Sequence, residues 1–167
     1  MKNRIDACFE KLKAENKKAL VTFITAGDPD MDTTEKCVLE MYKNGSDIIE
    51  IGVPFSDPIA EGATIQKASL RSLSGGTNLD KIFDLVRKLR TQTDKPMLLM
   101  MYINTIFKFG TAKFFELCKE TQIDGVIVLP RCTDLTRACK NDSRKVKGLF
   151  ICCIFTGRYR YAFRDNH

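Results

Sequence analysis

Three carboxylates fall within twelve residues in the run Ile49-Glu50-Ile51-Gly52-Val53-Pro54-Phe55-Ser56-Asp57-Pro58-Ile59-Ala60-Glu61-Gly62. Glu50 sits inside an apolar stretch, where an isolated charge is costly, so it must be paired, protonated or used. A carboxyl group kept protonated near neutral pH is a general acid/base, and the flanks Ile49 and Ile51 push Glu50 in that direction. On the residues alone a satisfied structural acid and a catalytic one are both open. Asp57 lies between Pro54 and Pro58, which fix φ, and an Asp in such a loop bonds nearby backbone to hold its shape. Glu61, taken by itself, is a solvated loop acid.

The elements that must position these groups alternate. Leu20 to Ala26 reads as a buried strand ending at the turn Gly27-Asp28-Pro29-Asp30, after which Asp32 or Thr33 is expected to cap a helix with Val38, Leu39 and Met41 on one face. Asp47 to Gly52 is a second strand. Leu79 to Leu89 puts Ile82, Phe83, Leu85, Val86 and Leu89 at helical spacing, and Pro96 opens the apolar strand Met97 to Tyr102. A helix over Ala112 to Thr121 then leads to the strand Gly125 to Leu129. Gly75-Gly76 reads as a helix stop and turn rather than a phosphate cradle. Nearly continuous apolar strands between helices argue for βα units on a parallel sheet, α/β in class. An open doubly wound sheet and a closed barrel share this pattern, although no G-x-G-x-x-G follows the first strand.

The acidic run continues through Ile65-Gln66 and resembles the signature of the tryptophan synthase alpha subunit, close to E-L-G-x-P-x-S-D-P-x-A-D-G-P-x-I-Q. Phe23-Ile24-Thr25-Ala26-Gly27-Asp28-Pro29, Met100 to Phe107 and Asp124 to Val128 agree with the same family. The resemblance covers roughly residues 1–130. It implies the N-terminal half of a (β/α)8 TIM barrel, parallel strands with covering helices, because four strands are half of eight and a complete barrel takes about 250 residues.

It also implies the carbon–carbon lyase step of tryptophan biosynthesis, retro-aldol cleavage of indole-3-glycerol phosphate to indole and glyceraldehyde 3-phosphate. Glu50 matches the general acid/base, and Glu61 the residue that holds the indole N–H. Phe23, Met100 and Tyr102 match positions lining the indole pocket, while the loop with Pro54 and Asp57 faces the β subunit. No cofactor or metal is implied. The family carries Asp where this chain has Glu61, and one methylene moves a carboxylate by about 1.5 Å, when about 1 Å is enough to cost rate. The family's phosphate-binding loops come later in the barrel, so the chain as written is expected to be inactive.

Net charge is +6, but residues 1–130 are balanced, with eighteen Lys and Arg against eighteen Asp and Glu. Residues 131–167 hold nine basic and three acidic side chains, and the cysteines Cys132, Cys139, Cys152 and Cys153. Their spacing lacks the C-x-x-C pairs or matching His of a zinc site, and the lone His167 is terminal. Two sequence segments therefore meet near residue 130, a partial barrel over 1–130 and a basic, cysteine-containing tail over 131–167. Taking the last two bases of each codon with the first of the next, Ile151 to His167 permits Y-V-V-S-S-L-G-V-T-G-M-R-S-E-I-T, which resembles the family's later strand and glycine loop. Pro130 to Asp134 permits P-D-(A or V)-P in the same shift. A frameshift near residues 128 to 130, with a deletion beyond it, is the expectation.

Met1-Lys2-Asn3-Arg4-Ile5-Asp6 has no apolar segment behind it, and no run approaches the roughly 18 apolar residues of a membrane span, so a cytoplasmic protein without membrane contact is expected. A second reading makes the half barrel a non-catalytic module binding the β subunit. A third makes Arg158-Tyr159-Arg160-Tyr161 a basic-aromatic nucleic-acid contact. The charge boundary at the proposed frameshift argues against it, leaving no nucleic-acid partner expected.

Overall fold

The computed structural model describes residues 3–59 and 61–129, and the backbone of 150–155 and 158–163. Cys132, Cys139, His167 and the segment directly after Leu129 lie outside the described residues. The order is α1 (Arg4–Ala14), β1 (Val21–Thr25), α2 (Met31–Lys43), β2 (Ile48–Gly52), α3 (Ala63–Ser74), α4 (Leu79–Arg90), β3 (Met97–Tyr102), α5 (Ile103–Phe109), α6 (Thr111–Glu120), β4 (Gly125–Leu129), β5 (Phe150–Phe155) and β6 (Arg158–Phe163).

Local sequence accounts for the helix limits. Asn3, Asp30 and Asn78 cap α1, α2 and α4, each side chain accepting a first-turn backbone N–H that the helix leaves unpaired. The cap of α2 is thus Asp30, which accepts from Thr33 N–H at 2.7 Å, and not Asp32 or Thr33. Asp30 wins because its extended backbone already turns the chain into the helix while its carboxylate reaches the third residue on. Gly75 ends α3, and Gly76 follows at φ +75°, as the double glycine suggested.

Strands β1 to β5 pair in chain order, each parallel to the next, with Phe23, Glu50 and Leu98 in register across β1, β2 and β3. That order contains no reversal, which a doubly wound sheet requires, so the topology is that of a barrel segment. The two faces confirm it. One packs Ile49, Ile51, Leu99, Met101, Val126 and Val128 against the apolar sides of α2, α4, α5 and α6. The opposite face gathers Ile48, Leu98 and Ile127 around Ile5 and Cys8 of α1, the one helix that covers it among the described residues. A sheet covered by helices on one side and plugged at its base on the other curls as a barrel wall does.

Two segments of residues 131–167 are described, both as strands. Their run Phe150-Ile151-Cys152-Cys153-Ile154-Phe155 extends the sheet as β5, while β6 pairs antiparallel to β5 and breaks the all-parallel pattern. Arg158 to Tyr161, considered above as a nucleic-acid contact, falls on β6, of which only the backbone is described.

Candidate active site

The last residues of the first four strands, Thr25, Gly52, Tyr102 and Leu129, all border one cavity of about 290 Å³. It lies at the carboxyl ends of the strands, where barrel enzymes place their chemistry, and its volume suits a small planar ligand. Glu50, Glu61, Phe23, Met100 and Tyr102 all line it, so every sequence-derived catalytic and pocket residue converges there.

Glu50 projects from the inner face of β2, between Phe23 and Leu98 on the flanking strands. Among the described residues its carboxylate has no hydrogen-bond or ion-pair partner. Burial alone pushes its pKa above the ordinary glutamate range, because the charged form loses water and gains nothing in exchange. A half-buried acid facing a cavity with its proton held more tightly than usual is equipped to give and retake that proton.

Glu61 stands opposite on the β2–α3 loop, and strand β3 orders it. The Tyr102 hydroxyl donates to Glu61 Oε2 and accepts from Ile59 N–H at 2.9 Å. Gln66 Nε2, one turn into α3, donates to the Glu61 carbonyl at 2.9 Å. The Phe55 ring stacks on Tyr102 with centroids 4.7 Å apart. Pro54 is buried at the start of the loop, directly after Val53 N–H has extended the sheet by donating to Met100 O at 2.8 Å. Asp57 is exposed on the outer side of the loop and accepts from Ser56 Oγ at 2.6 Å. The structure therefore divides the loop into an inner side with Glu61 and an outer side with Asp57.

Gly52, Ile65 and Ser69 are among the cavity residues not picked out from the sequence. Gly52 abuts the Phe23 ring so closely that any Cβ would strike it, which lets the ring lie flat across the strand end. Ile65 and Ser69 reach the cavity from successive turns of α3. Their i, i+4 spacing and the motif's extension through Gln66 were the available signals. α3 is in turn anchored at its far end: Arg71 pairs with both oxygens of Asp28 at 2.8 and 2.7 Å, and Ser72 Oγ donates to Ala26 O at 2.5 Å.

A parallel βα sheet covered by helices on one side, with an inner-face acid that has no partner among the described residues, has the layout of a barrel-enzyme site. The model of the family described as tryptophan synthase alpha chain matches residues 9–160. The tryptophan synthase alpha chain of Caldanaerobacter subterraneus subsp. tengcongensis is 51% identical over 126 residues, 75% of this chain and 48% of its own. That of Geotalea uraniireducens is 51% identical over 127 residues, with 76% and 48% covered. The crystal structure of tryptophan synthase subunit alpha from Legionella pneumophila superposes with a TM-score of 0.85 at 37% identity, covering 90% of this chain and 58% of that one. The tryptophan synthase complex from Pyrococcus furiosus gives 0.72 at 34%, covering 82% and 55%. The chain belongs to the tryptophan synthase alpha chain family, and it spans about half the length of the curated relatives it matches.

Proposed function

We propose that residues 1–130 carry the acid/base half of an indole-3-glycerol phosphate lyase site. Glu50 protonates the indole ring carbon that bears the side chain, then takes the proton of the hydroxyl on the adjoining side-chain carbon as the carbon–carbon bond breaks, so that this carbon becomes the aldehyde of glyceraldehyde 3-phosphate and the bond electrons return to the ring of the departing indole. Glu61 accepts the indole N–H as positive charge develops, and Phe23, Met100 and Tyr102 hold the ring. The single observation that carries this reading is the Glu50 carboxyl, turned into the cavity without a described partner and with its pKa raised by burial. Family membership supports the substrate class.

The anchor for the substrate phosphate belongs, in this reading, to sequence outside residues 1–130. Remote binding energy is what orients the reacting end, so the 167-residue chain assayed alone should release no measurable indole. The outer side of the loop, with Asp57 and with Ile59 60% exposed beyond the buried Pro54, is the surface offered to a β subunit. Ile59 also favours a second reading, a β-binding module without turnover. No described helix is long and apolar enough to cross a membrane, and Cys8 and Cys37 are thiols, in keeping with a cytoplasmic site of action. The charge step at residue 130 supports reading 131–167 as a shifted frame, which the coding DNA across codons 120–167 tests directly.

The functional test completes the chain with the second half of a family relative and measures indole release. Glu50→Gln should lower turnover by about 100- to 10,000-fold, the usual range for a general acid/base, with the fold retained. Unchanged turnover would remove Glu50 from the role. Co-purification with a β subunit but no indole from the completed chain would favour the binding module.

A further inference from the structure

Tyr102 does more at this site than line it. It is the last residue of β3, is 3% exposed and pairs with Leu129 of β4, two residues beyond the point where Met100 pairs with Gly52 of β2, so its backbone is set by the sheet. From that fixed point it touches the neighbouring loop at three places. The ring stacks on Phe55, and the hydroxyl accepts from Ile59 N–H and donates to the Glu61 carboxylate. A hydroxyl that accepts one bond and donates another has a defined proton direction, and it fixes the backbone at 59 relative to the side chain at 61.

The length of Glu61 matters to this arrangement. An Asp at position 61 would withdraw the carboxylate by about 1.5 Å, more than a hydrogen bond tolerates without movement of the loop. Gln66 holds the carbonyl of the same residue, so the loop cannot simply slide inward to compensate.

We propose that Tyr102 is a positioning residue that clasps the 53–62 loop through Ile59 and Glu61 before any substrate arrives, and that Glu at position 61 is matched to it. This rests on the reading of Glu61 as a substrate-facing acid and deepens it: Tyr102 acts on the reaction through Glu61, by setting the direction of its carboxylate. The loop is thereby pre-ordered, and a ligand entering the cavity meets an acid already aimed rather than one to be ordered on binding.

Amide hydrogen exchange of the 167-residue chain, read residue by residue by NMR, tests the clasp without turnover. Tyr102→Phe keeps the ring and its stacking, and should speed exchange at Ile59 by about tenfold, the loss expected for one hydrogen bond, with Leu98 to Met101 in β3 unaffected. Glu61→Ala should speed Ile59 as well, and Glu61→Gln, whose amide oxygen still accepts from the hydroxyl, should restore protection. The Tyr102→Phe/Glu61→Ala double variant should be no faster than the faster single one. Ile59 exchange within about twofold of the parent in Tyr102→Phe would overturn the proposal. Multiplying rates in the double variant would overturn it too. If Tyr102→Phe fails to fold, the Glu61→Ala and Glu61→Gln pair decides: equal exchange at Ile59 in the two rejects the clasp. A completed chain lacking lyase activity would sink the functional reading and leave the clasp standing.

Discussion

Glu50 and Asp124 are acids about one register step apart on the same sheet, and they are treated in opposite ways. Asp124, immediately before β4, is 4% exposed and fully engaged. Arg90 Nη2 meets its Oδ2 at 2.5 Å, Arg4 Nη1 its Oδ1 at 3.1 Å, and Met97 N–H donates to Oδ2 at 2.9 Å. Asn3 adds a bond to the Asp124 carbonyl at 2.8 Å, so α1, α4, β3 and β4 are tied at the base of the sheet through one residue. Glu50, in the middle of β2, has none of this among the described residues and is held where ionisation is penalised. In the proposed reading of Glu50, the difference separates a structural acid from a working one. Burial is common to both; a complete set of donors belongs to the structural acid alone.

Breaking the network at Asp124 should have the larger effect on stability. Asp124→Asn leaves two guanidinium groups facing a neutral amide and should cost about 3–5 kcal/mol, the usual penalty for removing one partner of a buried pair. A denaturant titration followed by circular dichroism measures it, and a loss below about 1 kcal/mol would mean that the network is solvent-screened and Asp124 not the tie it looks to be. Gly52→Ala probes packing beside the cavity instead. Its Cβ has nowhere to go but into the Phe23 ring, and overpacking of this kind costs about 1–3 kcal/mol. The same titration reads it, and indole binding should weaken as Phe23 is displaced.

The smallest expected change has the most informative sign. Because the folded value of Glu50 is raised, the folded chain holds that proton more tightly than the unfolded chain does. Stability therefore falls as pH climbs from the ordinary glutamate range through the raised Glu50 value, and stays lowered above it. Glu50→Gln should be slightly more stable than the parent at neutral pH, with the gain vanishing below the ordinary glutamate range. A variant less stable than the parent at neutral pH would show that Glu50 is a paired acid like Asp124.

Much of the positioning frame is legible in the chain. β3 and β4 read at their observed limits because each is an apolar run with a polar or proline boundary before it, Lys95-Pro96 and Gln122 to Asp124. The convergence of Glu50, Glu61, Phe23, Met100 and Tyr102 on one cavity follows from the motif and the parallel βα order. α1 was not read, although Ile5, Cys8 and Leu12 stand at helical spacing, because its remaining face is charged and only a few side chains are covered. The partners of Asp124 could not be read at all. Arg90 and Arg4 lie 34 and 120 positions away, with no periodicity to connect them. The Tyr102 clasp escaped for the same reason: a bond from residue 102 to residues 59 and 61 is a product of the folded register.

Glu50 has no partner among the described residues, and burial beside the cavity makes it hold its proton more tightly than an exposed glutamate does. The most direct test labels the glutamate side-chain carboxyl carbons with ¹³C and follows each through a pH titration, with Glu50→Gln to assign the signal. The expected result is a Glu50 signal titrating above the ordinary glutamate range and above the exposed glutamates of the same chain. A Glu50 carboxyl that titrates at or below that range would place it among the paired, structural acids and contradict the account.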